Sequence, residues 1–159
     1  MCARATFIKS LFMLALGGSF LFGLTSFTDI NARQLATQIE QKLNISHNET
    51  PENGKVKRVE ISLSDGFLRY RRFFTNGKQE YFSFNIQRFD DLDYLGTSSQ
   101  GVLILHTRDE DVIVQTYNDP KGNIDSMANI INLPVKQMEA EELQMIRENL
   151  FQIKKELQN

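Results

Sequence analysis

Apolar and polar residues alternate most clearly between residues 102 and 117. Two aliphatic and β-branched runs lie on either side of a short acidic break at Asp109 and Glu110, and this pattern is typical of a β-hairpin. With these two residues in the turn, we expect Leu105 to lie opposite Val114 on a face that packs in the core. The other face mixes apolar and polar side chains, so we expect it to be half exposed.

Other segments also show apolar side chains at every second position, and they predict strands in residues 55–64, 67–74 and 81–86, with short strands around Tyr94 and around Ile130. Asp65 and Gly66 separate the first two strands. This dipeptide is a strong signal for a two-residue hairpin turn, which pairs Ser64 with Phe67.

Two registers are possible across the second turn, Asn76-Gly77, which joins the strands predicted in residues 67–74 and 81–86. A plain two-residue turn would place Phe82 on the same face as Arg71, because a shift of one residue turns a whole strand over. A bulge near Thr75 would return Phe82 to the core face. The alternative is a curled sheet that is covered on both sides, and we favour the bulge.

Two helices are predicted from apolar residues spaced three and four apart. The first covers residues 29–43 and either packs on the sheet or forms a stalk between a membrane and the domain. The second covers residues 136–157 and either packs on the sheet or forms a coiled-coil dimer. Their apolar stripes are Ala32, Leu35, Ala36, Ile39 and Leu43 in the first and Leu143, Ile146, Leu150, Ile153 and Leu157 in the second.

The order of these elements predicts an α+β fold. It consists of an antiparallel meander or curled sheet of about six to seven strands, closed by the C-terminal amphipathic helix, with an N-terminal helix before it. Over residues 55–159 this order resembles the pleckstrin-homology-like barrel. The resemblance implies a curled meander plugged at one end by the final helix, with a basic rim for anionic groups. An open antiparallel sheet with both helices on one face is the competing architecture.

The first residues have the pattern of a targeting segment. Arg4 and Lys9 precede an uncharged run over residues 10–28, which is typical of a signal peptide or signal anchor. We therefore divide the chain into a targeting segment (1–27), a helix and polar loop (28–54), and the β domain with its C-terminal helix (55–159). We expect the domain to face outward in the cell envelope, either membrane-anchored through its N-terminal segment or periplasmic or secreted.

The polar loop predicted after the first helix contains His47 and two glycosylation sequons, at Asn44 and Asn48. These asparagines are glycan sites if the protein is a eukaryotic secretory protein. We favour a bacterial origin, in which the sequons arise by chance. The single cysteine, Cys2, lies in the targeting segment, so the domain has no disulfide to hold it together.

Charge is distributed unevenly along the chain. Residues 55–88 contain eight basic and three acidic side chains, whereas residues 89–159 contain six basic and thirteen acidic ones. Either the two halves neutralise each other across the fold, or the first strands present a basic face to an anionic partner. Glu60 is expected to pair with Arg71 across the hairpin. The candidate binding residues are Lys57, Arg58, Arg69 and Arg71.

These features favour a non-enzymatic exported or membrane-anchored binding module. Its expected partner is a protein, a peptide or an anionic surface polymer, and the net charge of −2 argues against nucleic acid. No ligand spacing predicts a metal site, and no motif predicts a cofactor. The alternative is a small hydrolase or metal-dependent enzyme that uses His106 beside a carboxylate in a cleft.

Overall fold

The computed structural model describes residues 25–48 and 55–158. The fold is α+β, with two helices and eight antiparallel strands in two sheets within these residues. The strands are β1 (Val56–Ser64), β2 (Phe67–Phe74), β3 (Gln79–Asn85), β4 (Phe89–Gly96), β5 (Gln100–Thr107), β6 (Val112–Tyr117), β7 (Asp125–Ala128) and β8 (Ile130–Lys136). The helices are α1 (Thr25–Ser46) and α2 (Ala140–Glu156), and a short 3-10 helix spans Ile86–Arg88.

The strands form a five-stranded sheet in the order β1-β2-β3-β6-β7 and a three-stranded sheet in the order β4-β5-β8. The two sheets do not close into a barrel over the described residues. The acidic segment after residue 89, where only a short strand was expected, forms the whole of β4, and the last predicted strand is two strands, β7 and β8. Pro134 lies within β8, opposite Val102, so α2 begins later than expected.

The hairpin predicted between residues 102 and 117 is wrong, although both of its strands exist. Strand β5 pairs with β4 and β8, and β6 pairs with β3 and β7. Each strand therefore has a neighbour on both sides in its own sheet and no free edge with which to pair with the other. Leu105 and Val112 are both fully buried, but they enter the core from different sheets. Residues 108–111 cross between the sheets instead of forming a tight turn.

The first two hairpins follow the predicted registers. Ser64 pairs with Phe67 around a turn in which both central residues have positive φ, as this turn type requires. At the second turn Phe74 N–H donates to Lys78 O (2.9 Å), which leaves a three-residue loop ending at Gly77 (φ 87°). The third residue of this loop returns β3 to the face that a bulge near Thr75 predicted, with Phe82 opposite Tyr70.

The core lies between the inner faces of the sheets and the two helices. In α2 the predicted stripe is buried at Ile146, Leu150 and Ile153, whereas Leu157 is partly exposed. In α1 Ile39 and Leu43 are fully buried in the same core. The rest of this cluster is Ile61, Leu63, Leu68, Tyr70, Phe84, Ile86, Phe89, Leu92, Leu103, Leu105, Val112, Ile131, Leu133, Val135 and Met138.

Helix α1 is longer than predicted and packs on the sheet over its C-terminal half. Residues 44–46, placed in the polar loop by the sequence, are its last turn, and His47 forms a β-bridge with Val135. Of the predicted targeting segment, residues 1–24 lie outside the described residues. Within residues 25–48 and 55–158, neither helix has an apolar stretch long enough to cross a bilayer.

Candidate functional site

The outward side chains of β1, β2 and β3 form a surface that we call the basic face, made of Arg58, Phe67, Arg69, Arg71, Phe73 and Tyr81. Strand alternation puts Arg69 and Arg71 on the same side of β2. The register then places Arg58 opposite Phe73 and Arg71 opposite Tyr81. The structure therefore brings three of the four predicted basic residues together. The fourth, Lys57, is the extra residue at a bulge in β1 and is exposed.

Each arginine of the basic face lies over an aromatic ring. The guanidinium carbon is 4.1 Å from the ring centroid for Arg58 over Phe73, 5.3 Å for Arg69 over Phe67 and 5.1 Å for Arg71 over Tyr81. These are cation–π distances, worth about 0.5–1 kcal/mol each at exposed sites. The stacking limits the freedom of the long side chains while their charged ends stay open to solvent.

Hydrogen bonds hold Arg69 further. Its Nη1 donates to the carbonyl oxygen and to the hydroxyl of Ser64, both at 3.0 Å. Ser64 precedes the tight turn of the first hairpin, so its backbone is fixed by that turn. The hairpin therefore fixes the position of the Arg69 guanidinium, and the side chain does not sample other rotamers freely.

The expected charge pair between Glu60 and Arg71 does not form. Glu60 lies opposite Arg71 in the register, but its carboxylate pairs with Arg58 on the same strand at 2.6 Å. Within residues 25–48 and 55–158, no carboxylate forms an ion pair with Arg69 or Arg71. The face therefore carries one neutralised arginine and two that keep their charge unpaired.

A shallow depression of about 410 Å³ lies at one end of the basic face. It extends the face onto β6, because β3 pairs with β6 so that Gln79 lies opposite Tyr117. Its lining residues are Arg71, Gln79, Glu80, Tyr81, Tyr117 and Asn118. The sequence interpretation missed Tyr117 because it assigned β6 to a hairpin with β5.

Ion pairs support the loop beside this depression. Lys78 lies 3.0 Å from Glu80 and 2.7 Å from Asp119, and Arg72 pairs with Glu80 from the other side. The hydrogen bonds that Lys78 donates, first to Asp119 and then to Glu80, raise the pKa of Lys78. The hydrogen bond from Lys78 lowers the pKa of Asp119. Both carboxylates are thus paired with Lys78.

The edge of β1 is covered by α1, where a second depression of about 570 Å³ opens. The Asn44 amide donates to Ile61 O (2.8 Å) and accepts from Ile61 N–H (3.4 Å), and Glu40 accepts from Leu63 N–H (2.9 Å). Two helix side chains therefore replace a neighbouring strand at this edge, which protects it from pairing with another chain.

The two predicted glycosylation sites differ in their surroundings. A glycan on Asn44 would attach to Nδ2, which donates to the carbonyl oxygens of Glu40 and Ile61 at 2.8 Å. Asn48 follows the helix, and its backbone N–H donates to Pro134 O at 2.9 Å. Thr50 of that second sequon lies outside the described residues. Glycosylation of either asparagine stays a prediction.

The two histidines pair with different residues of β8, His47 with Val135 and His106 with Ile130. His47, predicted in a flexible loop, is buried with its Nε2 3.1 Å from the Tyr70 hydroxyl. His106 lies on the outer face of the three-stranded sheet, with Nε2 3.0 Å from Asp93 Oδ2. His106 lines neither of the two depressions, and Asp93 is exposed.

That outer face of the three-stranded sheet, which we call the acidic face, is made of Asp91, Asp93, Leu95, Val102, Ile104 and His106. Its carboxylates are paired within the fold, since Asp93 faces His106 and Asp91 lies 2.8 Å from Arg147 of α2. The aliphatic side chains are half exposed except Leu95, which is 71% exposed. The face carries no lysine or arginine, so it offers no positive charge comparable to that of Arg69 and Arg71.

No group of three His, Cys, Asp or Glu side chains within the described ranges is placed to hold a metal ion. The geometry that stands out is therefore the basic face with its adjoining depression. No protein-family model, curated protein or solved structure matches this chain.

Proposed function

We propose that this protein is a non-enzymatic binding module that binds an anionic partner through the basic face. The observation that carries the proposal is the state of Arg69 and Arg71. Both guanidinium groups are held against aromatic rings, and neither has an ion-paired carboxylate within the described residues. Charges that are ordered but not neutralised are suited to a partner that brings its own carboxylates, sulfates or phosphates.

The ordering of these side chains favours binding because less rotamer freedom is lost when a partner arrives. An immobilised long side chain costs about 0.5–1.5 kcal/mol on association. Arg69, already fixed by Ser64 and Phe67, avoids most of that cost. The surrounding rings also exclude water from one side of each guanidinium, which strengthens its attraction for an anion.

The location of the module is part of the proposal. The basic start and uncharged run of residues 1–27 support an exported or membrane-anchored protein whose domain faces outward. Anionic partners there are other envelope proteins, peptides or surface polymers. The intact mass of the protein from membrane and soluble fractions tests this point, since a cleaved signal peptide lowers the mass and a retained anchor does not.

We also propose that α2 closes the end of the sheets, as in the pleckstrin-homology-like resemblance. Two contacts support this role. Lys154 of α2 is buried and donates to the Phe89 carbonyl oxygen at the start of β4, and Phe151 packs edge-on against the Phe89 ring at 5.1 Å. Burial, and then the charge of Arg108, lowers the pKa of Lys154.

Charge reversal on the basic face tests the proposed function. The double variant Arg69→Glu with Arg71→Glu should weaken binding of polyglutamate or polygalacturonate by about 30-fold or more, because each lost charge contact costs about 1 kcal/mol. The matched control is Arg108→Glu with Lys136→Glu, which makes the same charge change at two exposed positions outside the basic face, one after β5 and one at the end of β8. Equal weakening by both variants, or none by the first, would contradict a specific basic face.

The second candidate function is a hydrolase that uses His106. The 3.0 Å separation between His106 and Asp93 favours it, because a carboxylate that orients a histidine is the arrangement of a general base. A His106→Ala variant tests it directly. If the protein hydrolyses any ester, peptide or glycoside in a substrate panel and the variant does not, this function replaces the binding module.

A further inference from the structure

We propose that the depression beside Arg71 is a subsite for a uronic-acid residue of an acidic polysaccharide. The inference rests on the proposed function and names the class of ligand. The depression combines an exposed aromatic ring, a guanidinium group and two amide side chains, contributed by Tyr117, Arg71, Gln79 and Asn118. These are the groups that the apolar face, the carboxylate and the hydroxyls of such a sugar require.

Tyr117 supplies the platform for the sugar ring. Tyr117 is 45% exposed, and its hydroxyl donates to Gln115 Oε1 at 2.7 Å. That hydrogen bond holds the ring in place with its polar end satisfied. A pyranose presents C–H groups on one side, and an exposed ring whose orientation is already fixed is a surface on which they can pack.

Arg71 supplies the charge that selects an acidic sugar. Its guanidinium is held over Tyr81 and, within the described ranges, forms no ion pair with a carboxylate. The planar fork of a guanidinium matches a carboxylate with two parallel hydrogen bonds. A neutral sugar has no carboxylate to pair with this guanidinium, so the subsite should bind a uronic acid more tightly than a neutral sugar.

Gln79 and Asn118 supply donors and acceptors for the hydroxyls. Amide side chains offer both roles, which suits hydroxyl groups that also donate and accept. Asn118 lies at the start of the loop that Lys78 holds through Asp119. Glu80 also lines the depression, but Lys78 and Arg72 pair with its carboxylate, so it carries no unpaired negative charge to repel the ligand.

The position of the depression favours a sugar over an extended peptide. Peptides that add to a sheet bind along a free edge, whereas this depression lies on the face over the central strand β3. Its volume of about 410 Å³ lies in the lower part of the range for small-ligand sites. It accommodates one or two sugar rings, and Arg69 lies further along β2 to meet the next acidic residue of the polymer.

Titration calorimetry of the full chain with tetragalacturonate tests the inference, with the fully methyl-esterified tetramer as the uncharged comparison. We expect the acid to bind at least about tenfold more tightly than the ester. Tyr117→Ala should weaken binding of the acid about tenfold, whereas Tyr117→Phe, which keeps the ring, should stay within about twofold. Arg71→Gln should remove the preference for the acid over the ester.

Polyglutamate separates the failure of this inference from that of the proposed function. If polyglutamate binds in a manner that Arg69→Glu with Arg71→Glu abolishes, while tetragalacturonate does not bind or Tyr117→Ala changes nothing, the sugar subsite is wrong and the anion-binding face stands. If the wild-type chain binds neither polyglutamate nor tetragalacturonate, both are overturned.

Discussion

The basic face and the acidic face are both outer faces of antiparallel sheets, but they differ in whether their charged side chains have partners within the fold. On the acidic face Asp91 contacts Arg147 and Asp93 contacts His106, so each carboxylate has a partner within the fold. On the basic face only Arg58 is neutralised, by Glu60. The remaining two arginines are positioned but left unpaired. The informative feature of a charged surface is therefore which charges the fold leaves without a partner.

Stacking explains how the basic face keeps those charges ordered. An exposed arginine without an ion pair would ordinarily sample many rotamers, and an ion pair that fixed it would also cancel it. A ring beneath the guanidinium orders the side chain while preserving its charge. Phe67 orders Arg69 in this way, and Tyr81 orders Arg71. The acidic face has aliphatic side chains instead of Phe or Tyr rings, so it offers no such stacking.

The largest expected effect is a loss of stability, and it comes from a change that exchanges the inner and outer faces of β3. Deletion of Thr75 would shorten the second hairpin loop to two residues and turn β3 over relative to β2. Phe84, which is buried, would then leave the core. We expect a loss of about 3–5 kcal/mol in the free energy of unfolding, measured by urea denaturation. Thr75→Ser keeps the loop length and should change it by less than about 0.5 kcal/mol.

A smaller effect should follow from freeing the third arginine. Glu60→Gln removes the carboxylate that neutralises Arg58, so the basic face gains a positive charge. Binding of polyglutamate should strengthen by about two- to fivefold, since one exposed charge contributes up to about 1 kcal/mol. Asp93→Asn removes a carboxylate from the acidic face and should leave the affinity unchanged. Equal strengthening by the two variants would mean that overall charge, not the face, governs binding.

The smallest expected effect is a change in stability on substitution of Glu142, a charged residue that lies on neither face. Glu142 of α2 pairs with Lys42 of α1 and accepts from the Glu139 N–H at 3.0 Å. The hydrogen bond from Lys42 is the main reason that the pKa of Glu142 falls below its usual value of 4.5. A lowered carboxyl pKa stabilises the fold above pH 4.5, and this contribution disappears as the pH falls through the folded-state pKa.

Glu142→Gln should therefore lower the free energy of unfolding by about 0.5 kcal/mol at pH 7 and leave it nearly unchanged near pH 3. Urea denaturation at the two pH values measures the difference, and polyglutamate binding by this variant should equal that of the wild type. A loss of stability of the same size at both pH values would show that the ion pair is not the cause.

Local chemistry made the basic face predictable from the sequence. The turn at Asp65-Gly66 fixes how β1 meets β2, and strand alternation then brings Arg58, Arg69 and Arg71 to one side. The face on which β3 lies followed from the need to bury Phe82 and Phe84. These inferences depend on residues close together in the chain, where turn geometry and alternation decide the outcome.

Long-range pairing made the rest unpredictable. Alternation showed that β5 and β6 are strands, but it does not say which sheet a strand joins, and the short connection between them favoured a hairpin. Tyr117 could be assigned to the depression only after β3 was known to pair with β6. The pairing of Glu60 with Arg58 instead of Arg71 was likewise invisible, because register fixes backbone positions and leaves the rotamers of long side chains open.

The most direct test of the basic face is an NMR titration that follows the side-chain Nε–H signals of six arginines while polyglutamate is added to the full chain: Arg58, Arg69, Arg71, Arg88, Arg108 and Arg147. We expect the signals of Arg58, Arg69 and Arg71 to shift together and to saturate with one affinity, whereas those of Arg88, Arg108 and Arg147 do not shift. Equal shifts across all six signals would contradict a specific face. Shifts confined to the second group would place the binding surface on the other side of the molecule.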